Sequence, residues 1–92
     1  MKIPRDFPCM GHTIRVRWKA MRGANGQYDD EHKTIWLHPA LRKGPRSHLE
    51  QTFCHELTHC WLLHSGHLSL YEDEKFVDVH ASLLHLYLQG VK

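Results

Sequence analysis

The stretch CHELTHC, residues 54–60, contains two histidines four positions apart and a glutamate directly after the first. On an α-helix, residues four apart lie on the same face about one turn from each other, so His55 and His59 can bind one metal ion. Glu56 would lie beside that ion without being a ligand, where its carboxylate can accept a proton from zinc-activated water. A shuffled chain with ten histidines among 92 residues would contain this motif only about 0.06 times. The motif therefore predicts a zinc site.

A catalytic zinc site needs a third protein ligand, and the acidic residues of a later segment can supply it. Glu74 and Asp78 lie one helical turn apart, and their spacing predicts that they continue an apolar stripe that includes Val77 and Ala81. Carboxylates are seldom placed on a packing face unless they are paired with a charge or bind a metal. Glu74 is the preferred third ligand, while His67, Asp73, Asp78 and another histidine remain alternatives.

The two motifs together resemble those of the zincin metallopeptidases, in particular the gluzincin branch. In that family H-E-x-x-H is followed by a ligand glutamate on a later helix and an aspartate one turn beyond it, as in EKFVD at residues 74–78. The resemblance implies that His55, His59 and Glu74 bind Zn²⁺ and that Asp78 hydrogen-bonds the far nitrogen of a ligand histidine. It also implies peptide-bond hydrolysis, with Glu56 as general base toward a zinc-activated water and a peptide or protein as substrate.

Within the zincins, the chain is similar to the small members often carried by phages, related to the ImmA/IrrE-type and SprT-like groups. The interval of 15 residues between His59 and Glu74 is shorter than in large gluzincins, so the resemblance implies no additional subdomain. SprT-like proteins use a third histidine, for which His67 is a candidate. The residue that would stabilise the oxyanion stays open among Tyr28, His67 and Tyr71.

The elements that must position these residues suggest an α+β fold in a single domain, residues 1–92. Period-two alternation predicts a strand over residues 11–21, a turn over 22–26, and a hairpin between residues 27–28 and a strand at 33–38. We expect a small antiparallel sheet of about three strands, followed by a loop at 39–46. In the zincins the substrate lies along an edge strand, and the resemblance assigns that strand to residues 33–38.

Two packed helices should follow the sheet in this minimal zincin architecture. SHLE at residues 47–50 and SLYE at 69–72 have the pattern of capping boxes, in which Ser is the N-cap and Glu the third helical residue. The first helix would end at Gly66 and the second at Gly90, because glycine is favoured just beyond a helix C-terminus.

Composition narrows the classes of protein that the sequence fits. Three cysteines without a C-x-x-C pair indicate reduced core residues rather than zinc ligands. No apolar run is long enough for a membrane span or a secretory signal, so we expect a cytoplasmic protein with no membrane partner.

The charge distribution raises the question of nucleic-acid binding. Residues 1–46 contain ten Lys or Arg against four Asp or Glu, whereas residues 47–92 contain two against six. Arg15 and Arg17 alternate with apolar residues, as on the solvated face of a strand, which argues against a nucleic-acid partner. The rival functions are a non-enzymatic, zinc-stabilised module that binds protein or nucleic acid through the basic half, and a zinc hydrolase of other substrates. The oligomeric state stays open.

Overall fold

The computed structural model describes residues 1–91, and the elements within them form an α+β fold, which confirms the predicted class. The strands are β1 (Asp6–Cys9), β2 (His12–Trp18), β3 (Gly26–Asp29) and β4 (Thr34–Leu37). The α-helices are α1 (Arg46–His64), α2 (Leu68–Tyr71) and α3 (Glu74–Gly90). The prediction of about three strands and two helices was therefore too low for these residues. The segment expected to be a loop contains a 3₁₀ helix, Pro39–Lys43.

The sheet is mixed rather than antiparallel, with the strand order β1-β2-β4-β3. β4 pairs in parallel with β2 and antiparallel with β3. The hydrophobic content of the strands explains this order: TIWL is buried or half-buried at every position, whereas GQYD is more polar. A strand covered on both faces belongs inside a sheet, so β4 occupies the interior and β3 an edge.

Strand β1 was missed because its four residues include a proline, which weakens the strand signal. It pairs with β2 through a two-residue turn at Met10 and Gly11, whose φ angles are 47° and 83°. Positive φ at both positions is the requirement of a type I′ hairpin turn. Phe7 on β1 packs edge-on against Phe53 on α1, with 6.4 Å between ring centroids.

Helix α1 covers one face of the sheet and supplies much of the core. Its buried Leu49, Phe53 and Leu57 belong to the same hydrophobic cluster as Ile14 and Ile35 of the sheet. The helix ends in a Schellman motif, in which the His67 N–H bonds to the Leu62 carbonyl and the Gly66 N–H to the Leu63 carbonyl. The three cysteines are free and buried, in agreement with their assignment to the core.

Both predicted capping boxes are wrong. The first helix begins at Arg46, so Ser47 lies inside its first turn. The second helical segment is interrupted: α2 ends at Tyr71, and α3 begins after Asp73, whose side chain accepts a hydrogen bond from the Phe76 N–H at 3.1 Å. This interruption places Glu74 at the first residue of α3, which packs against α1.

No helix in residues 1–91 is both long enough and apolar enough to span a membrane.

Glu50 was predicted to cap α1 but belongs to a buried ionic network. Its Oε1 accepts a hydrogen bond from His85 Nε2 at 3.0 Å, and its Oε2 accepts from Arg46 Nε at 3.1 Å and from the Met1 ammonium at 3.2 Å. The hydrogen bond from His85, followed by those from the ammonium and Arg46, lowers the pKa of Glu50 to about 2. The network ties α1 to α3.

We expect Glu50→Gln to lower the free energy of unfolding at pH 7 by about 2 kcal/mol, because hydrogen bonds to a charged group are lost. A carboxyl group whose pKa is lower in the folded state stabilises the protein fully at pH values above its unfolded-state pKa. This stabilisation is lost as the pH falls through its folded-state pKa. The difference from the wild type should therefore shrink between about pH 4.5 and pH 2. Urea titrations across this range measure it, with the exposed Glu31→Gln as control. A difference that stays constant with pH would contradict the ionic assignment.

Candidate metal centre

The structure brings together the three residues predicted as zinc ligands. His55 and His59 lie one turn apart on α1 with ring centroids 4.9 Å apart, and Glu74 faces them from the start of α3. The Nε2 atom of His55 lies 3.1 Å from Glu74 Oε2, and that of His59 lies 3.0 Å from Glu74 Oε1. One ligand atom from each residue lies within 4.8 Å of the other two, which is close enough for one ion to contact all three.

The second nitrogen of each histidine is held by an acceptor. Asp78 Oδ1 lies 2.8 Å from His55 Nδ1, which is the contact that the resemblance to the zincins implies for it. The main-chain carbonyl of Tyr71 accepts a hydrogen bond from His59 Nδ1 at 2.8 Å. Sequence reasoning missed Tyr71 in this role, because any residue type offers a carbonyl and only the fold brings it near the ring.

The contact at Nδ1 of His59 determines which of its ring nitrogens can bind a metal ion. A carbonyl only accepts hydrogen bonds, so Nδ1 of His59 carries a hydrogen and Nε2 is the ring nitrogen that faces Glu74. Nε2 and the Glu74 oxygen lie 3.0 Å apart, and a cation bound between them would attract both atoms. Two imidazole nitrogens and a carboxylate oxygen are ligands that zinc uses in catalytic sites. The residues present therefore fit a zinc ion.

The prediction that Glu74 and Asp78 lie on the packing face of their helix is wrong, although both residues do lie near the histidines of α1. Glu74 and Asp78 do not lie on the packing face of α3, because their side chains are 65% and 67% exposed, whereas Val77 and Ala81 are fully buried. They flank the buried stripe on the side that faces the histidines. The three predicted ligands are consequently open to solvent where Glu74 lies.

Of the alternative third ligands, Asp78 contacts Nδ1 of His55, while His67, Asp73 and His64 have other partners in the part of the chain that the structure describes. His67 Nδ1 is 2.9 Å from Ser65 Oγ, and Asp73 caps α3. His64 Nε2 is 2.6 Å from the Tyr28 hydroxyl. Glu74 is the residue that groups with His55 and His59.

Glu56 is buried beside this group, with 7% of its surface exposed. Its pKa is raised to about 7, mainly by burial and to a smaller extent by the charge of Glu74, while His55 and a hydrogen bond from the Tyr28 backbone amide act in the opposite direction. A carboxyl group with such a pKa can both accept and release a proton near neutral pH.

A cleft of about 500 Å³ opens above these residues. It is lined by strand β3, the α1 site residues and the α2–α3 junction: Gly26, Gln27, Tyr28, His55, Glu56, His59, Tyr71, Glu72 and Glu74. The expectation that residues 33–38 form the edge strand is wrong, because β4 lies between β2 and β3. The edge strand beside the cleft is β3.

Two of the three candidates for oxyanion stabilisation, Tyr28 and Tyr71, line the cleft, and the third, His67, does not. The Tyr28 hydroxyl, however, contacts His64 and lies 3.1 Å from Asp30 Oδ1. The Tyr71 ring packs edge-on against His59, with centroids 5.2 Å apart.

At Gly26 strand β3 approaches α1 closely, whereas the sequence predicted only that Gly26 belongs to a turn. A Cβ atom at this position would lie 2.9 Å from Thr52 Cγ2 and 3.0 Å from Glu56 Cγ. An isolated glycine at the start of a strand signature can indicate such an approach. The absence of a side chain at Gly26 gives Glu56 its place at the cleft floor.

We expect Gly26→Ala to lower the free energy of unfolding by about 1–3 kcal/mol, because the added methyl group overpacks this contact and displaces Glu56. Gly44→Ala is the matched control, since a Cβ there meets nothing within 4 Å and the φ of −98° suits alanine. Thermal and urea unfolding of both variants measure the effect. Equal stability of the two variants would show that the contact is not tight.

A scan against protein-family models and searches of curated proteins and solved structures found no match to this chain. The resemblance to the zincins therefore depends on the two sequence motifs and on the geometry of the residues that they contain.

Proposed function

We propose that this chain is a zinc-dependent peptidase in which His55, His59 and Glu74 hold the ion. The observation that carries the proposal is the convergence of both Nε2 atoms on the Glu74 carboxylate, while Asp78 and the Tyr71 carbonyl hold the opposite nitrogens. Such outer contacts orient ligand imidazoles and raise their basicity.

A bound zinc ion supplies Lewis-acid polarisation and lowers the pKa of water. Glu56 accepts a proton from the attacking water as its oxygen bonds to the peptide carbonyl carbon. When the C–N bond breaks, Glu56 passes that proton to the leaving amine, so the products are a carboxylate and an amine. The place of Glu56 at the cleft, buried and next to His55, supports this role.

The substrate is an extended peptide that pairs with β3. This strand is an edge of the sheet and lines the same cleft as Glu56 and the ligand residues. Main-chain hydrogen bonds to an edge strand can align a peptide without strong side-chain selection. The strand that aligns the substrate is thus β3, Gly26–Asp29, instead of residues 33–38.

The openness of the site favours an enzyme over a zinc-stabilised binding module. Structural zinc sites fill four positions with protein ligands, whereas three candidate ligands group here among residues 1–91 and Glu74 is 65% exposed. A structural site also has no use for the buried, unligated carboxyl group of Glu56.

Metal analysis combined with a cleavage assay tests the proposal. We expect about one zinc per chain, and a chelator should lower the melting temperature by on the order of 10 °C, because zinc binds the folded state. Mass spectrometry of a peptide library should show cleavage by the zinc-loaded chain, loss of cleavage with chelator, and recovery with added zinc. A zinc-loaded chain that cleaves no peptide would favour the binding module, and a chain that retains no zinc would contradict the metal centre.

A further inference from the structure

Helix α3 is apolar on two opposite sides. Its inner side packs against α1 through the fully buried Val77 and Ala81. On the other side Val79, Leu83 and Leu86 are 49%, 59% and 63% exposed, and they follow one another at intervals of four and three residues. A helix at the surface of a monomer normally has a polar outer side, and a helix that is apolar all round is normally buried.

The apolar surface extends from this stripe toward α1. A groove of about 280 Å³ lies between the two helices and is lined by Thr58, Trp61, Leu62, Phe76, His80 and Leu84. Trp61, on the α1 side of the groove, is 45% exposed. We call the stripe and the groove together the α3 outer face. The exposed parts of Val79, Leu83, Leu86 and Trp61 have an area on the order of 400 Å². Together with the half-buried groove residues and a polar rim, this face approaches the roughly 800 Å² per partner of a stable complex.

The charges around this face restrict what can cover it. Residues 79–90 contain no Asp, Glu, Lys or Arg, and Lys75 is the basic residue near the start of the stripe. Glu74 and Asp78 are turned toward the histidines of α1. An anionic membrane or a nucleic acid would require a basic surface, which this face does not offer. A protein surface that is equally apolar and uncharged fits, and a second copy of the chain presents one.

We propose that the α3 outer face pairs with the same face of a second copy, with the two α3 helices antiparallel and the two-fold axis near Leu83. Self-complementary contacts of this kind are the rule in two-fold dimers. Antiparallel pairing places each Lys75 beside the C-terminal end of the other α3, where the helix dipole is negative. Parallel pairing would place the two Lys75 side chains beside each other. The ligand residues lie on a different side of α3, so both clefts stay open in the dimer.

Sedimentation equilibrium of the zinc-loaded full chain at 10–200 µM tests the dimer. We expect a dimer that persists in 1 M NaCl, because the contact is apolar. Leu83→Asp should raise the dissociation constant at least 30-fold, the effect of losing a central interface residue. The control is Met10→Asp, which changes a residue that is 69% exposed in the β1–β2 turn. Retained circular dichroism shows that each variant is folded.

Three results would overturn the proposal: a monomer at 200 µM, a dimer that salt dissociates, or a folded Leu83→Asp variant that dimerises like the wild type. Salt-sensitive association would instead indicate contact between the basic and acidic halves of the chain.

Cysteine cross-linking tests the antiparallel arrangement. The native cysteines are buried, so an introduced cysteine is the accessible one. Leu83→Cys should form an intermolecular disulfide under mild oxidation, whereas Lys75→Cys, about 12 Å along the helix, should not. Equal cross-linking at both positions would contradict the antiparallel arrangement.

Discussion

Glu56→Gln is expected to reduce kcat for peptide cleavage by about 10²- to 10⁴-fold while the protein keeps its zinc and its fold. The amide has the shape of the carboxyl group but cannot accept the proton of the attacking water. Shape matters here because Glu56 is buried and a Cβ at Gly26 would lie 3.0 Å from its Cγ. Cleavage rates, zinc content and melting temperature of the variant measure the effect.

The control for this substitution is Glu31→Gln, the same chemical change at an exposed position in the β3–β4 turn. It should cleave at the wild-type rate. A Glu56→Gln variant that cleaves as fast as the wild type would show that the proposed mechanism is wrong. A variant that loses zinc or unfolds would show that Glu56 is needed for structure.

The second large effect is expected for zinc affinity. Glu74→Ala removes the proposed third ligand and should weaken zinc binding by well over 100-fold, whereas Asp78→Ala should weaken it by about 10- to 100-fold. The difference follows from their positions, since Glu74 faces both Nε2 atoms while Asp78 touches the far nitrogen of His55. Competition with a chromophoric chelator measures both affinities.

His67→Ala is the matched variant for the alternative ligand and should bind zinc like the wild type, because His67 contacts Ser65 instead of the ligand group. If His67→Ala loses zinc while Glu74→Ala keeps it, the third ligand is a histidine, and the SprT-like assignment replaces the gluzincin one.

Local patterns predicted the elements that carry the site. The interval from His55 to His59 is a property of any helix, so the placement of both rings on one face needed no tertiary information. The hairpin of β3 and β4 followed from alternation and from the polar turn between them. In each case the deciding interactions lie within a few residues of one another.

The order of the strands depended on contacts that local patterns do not describe. Residues 33–38 were expected at the edge of an antiparallel sheet because the resemblance to the zincins assigned the substrate-binding strand to them. The apolar side chains of β4 are covered more completely between two neighbours, and this non-local gain overrides sequence order. β1 was missed for a related reason, since a four-residue segment with Pro8 becomes a strand only through its pairing with β2.

The capping boxes failed because their residues had stronger partners. Glu50 is bound by His85, which is 35 residues away in the sequence. In the second segment Asp73 offers a side-chain cap directly before the acidic residues of α3, and the helix begins there instead. The Tyr71 carbonyl becomes a partner of His59 only because of that interruption.

X-ray absorption spectroscopy at the zinc edge of the zinc-loaded full chain tests the central claim most directly. The three cysteines could offer sulfur, while the proposed centre offers two imidazole nitrogens and a carboxylate oxygen. We predict nitrogen and oxygen scattering near 2.0–2.2 Å with the outer-shell signature of two imidazoles. Sulfur scattering near 2.3 Å, or the signature of three imidazoles, would contradict a centre formed by His55, His59 and Glu74.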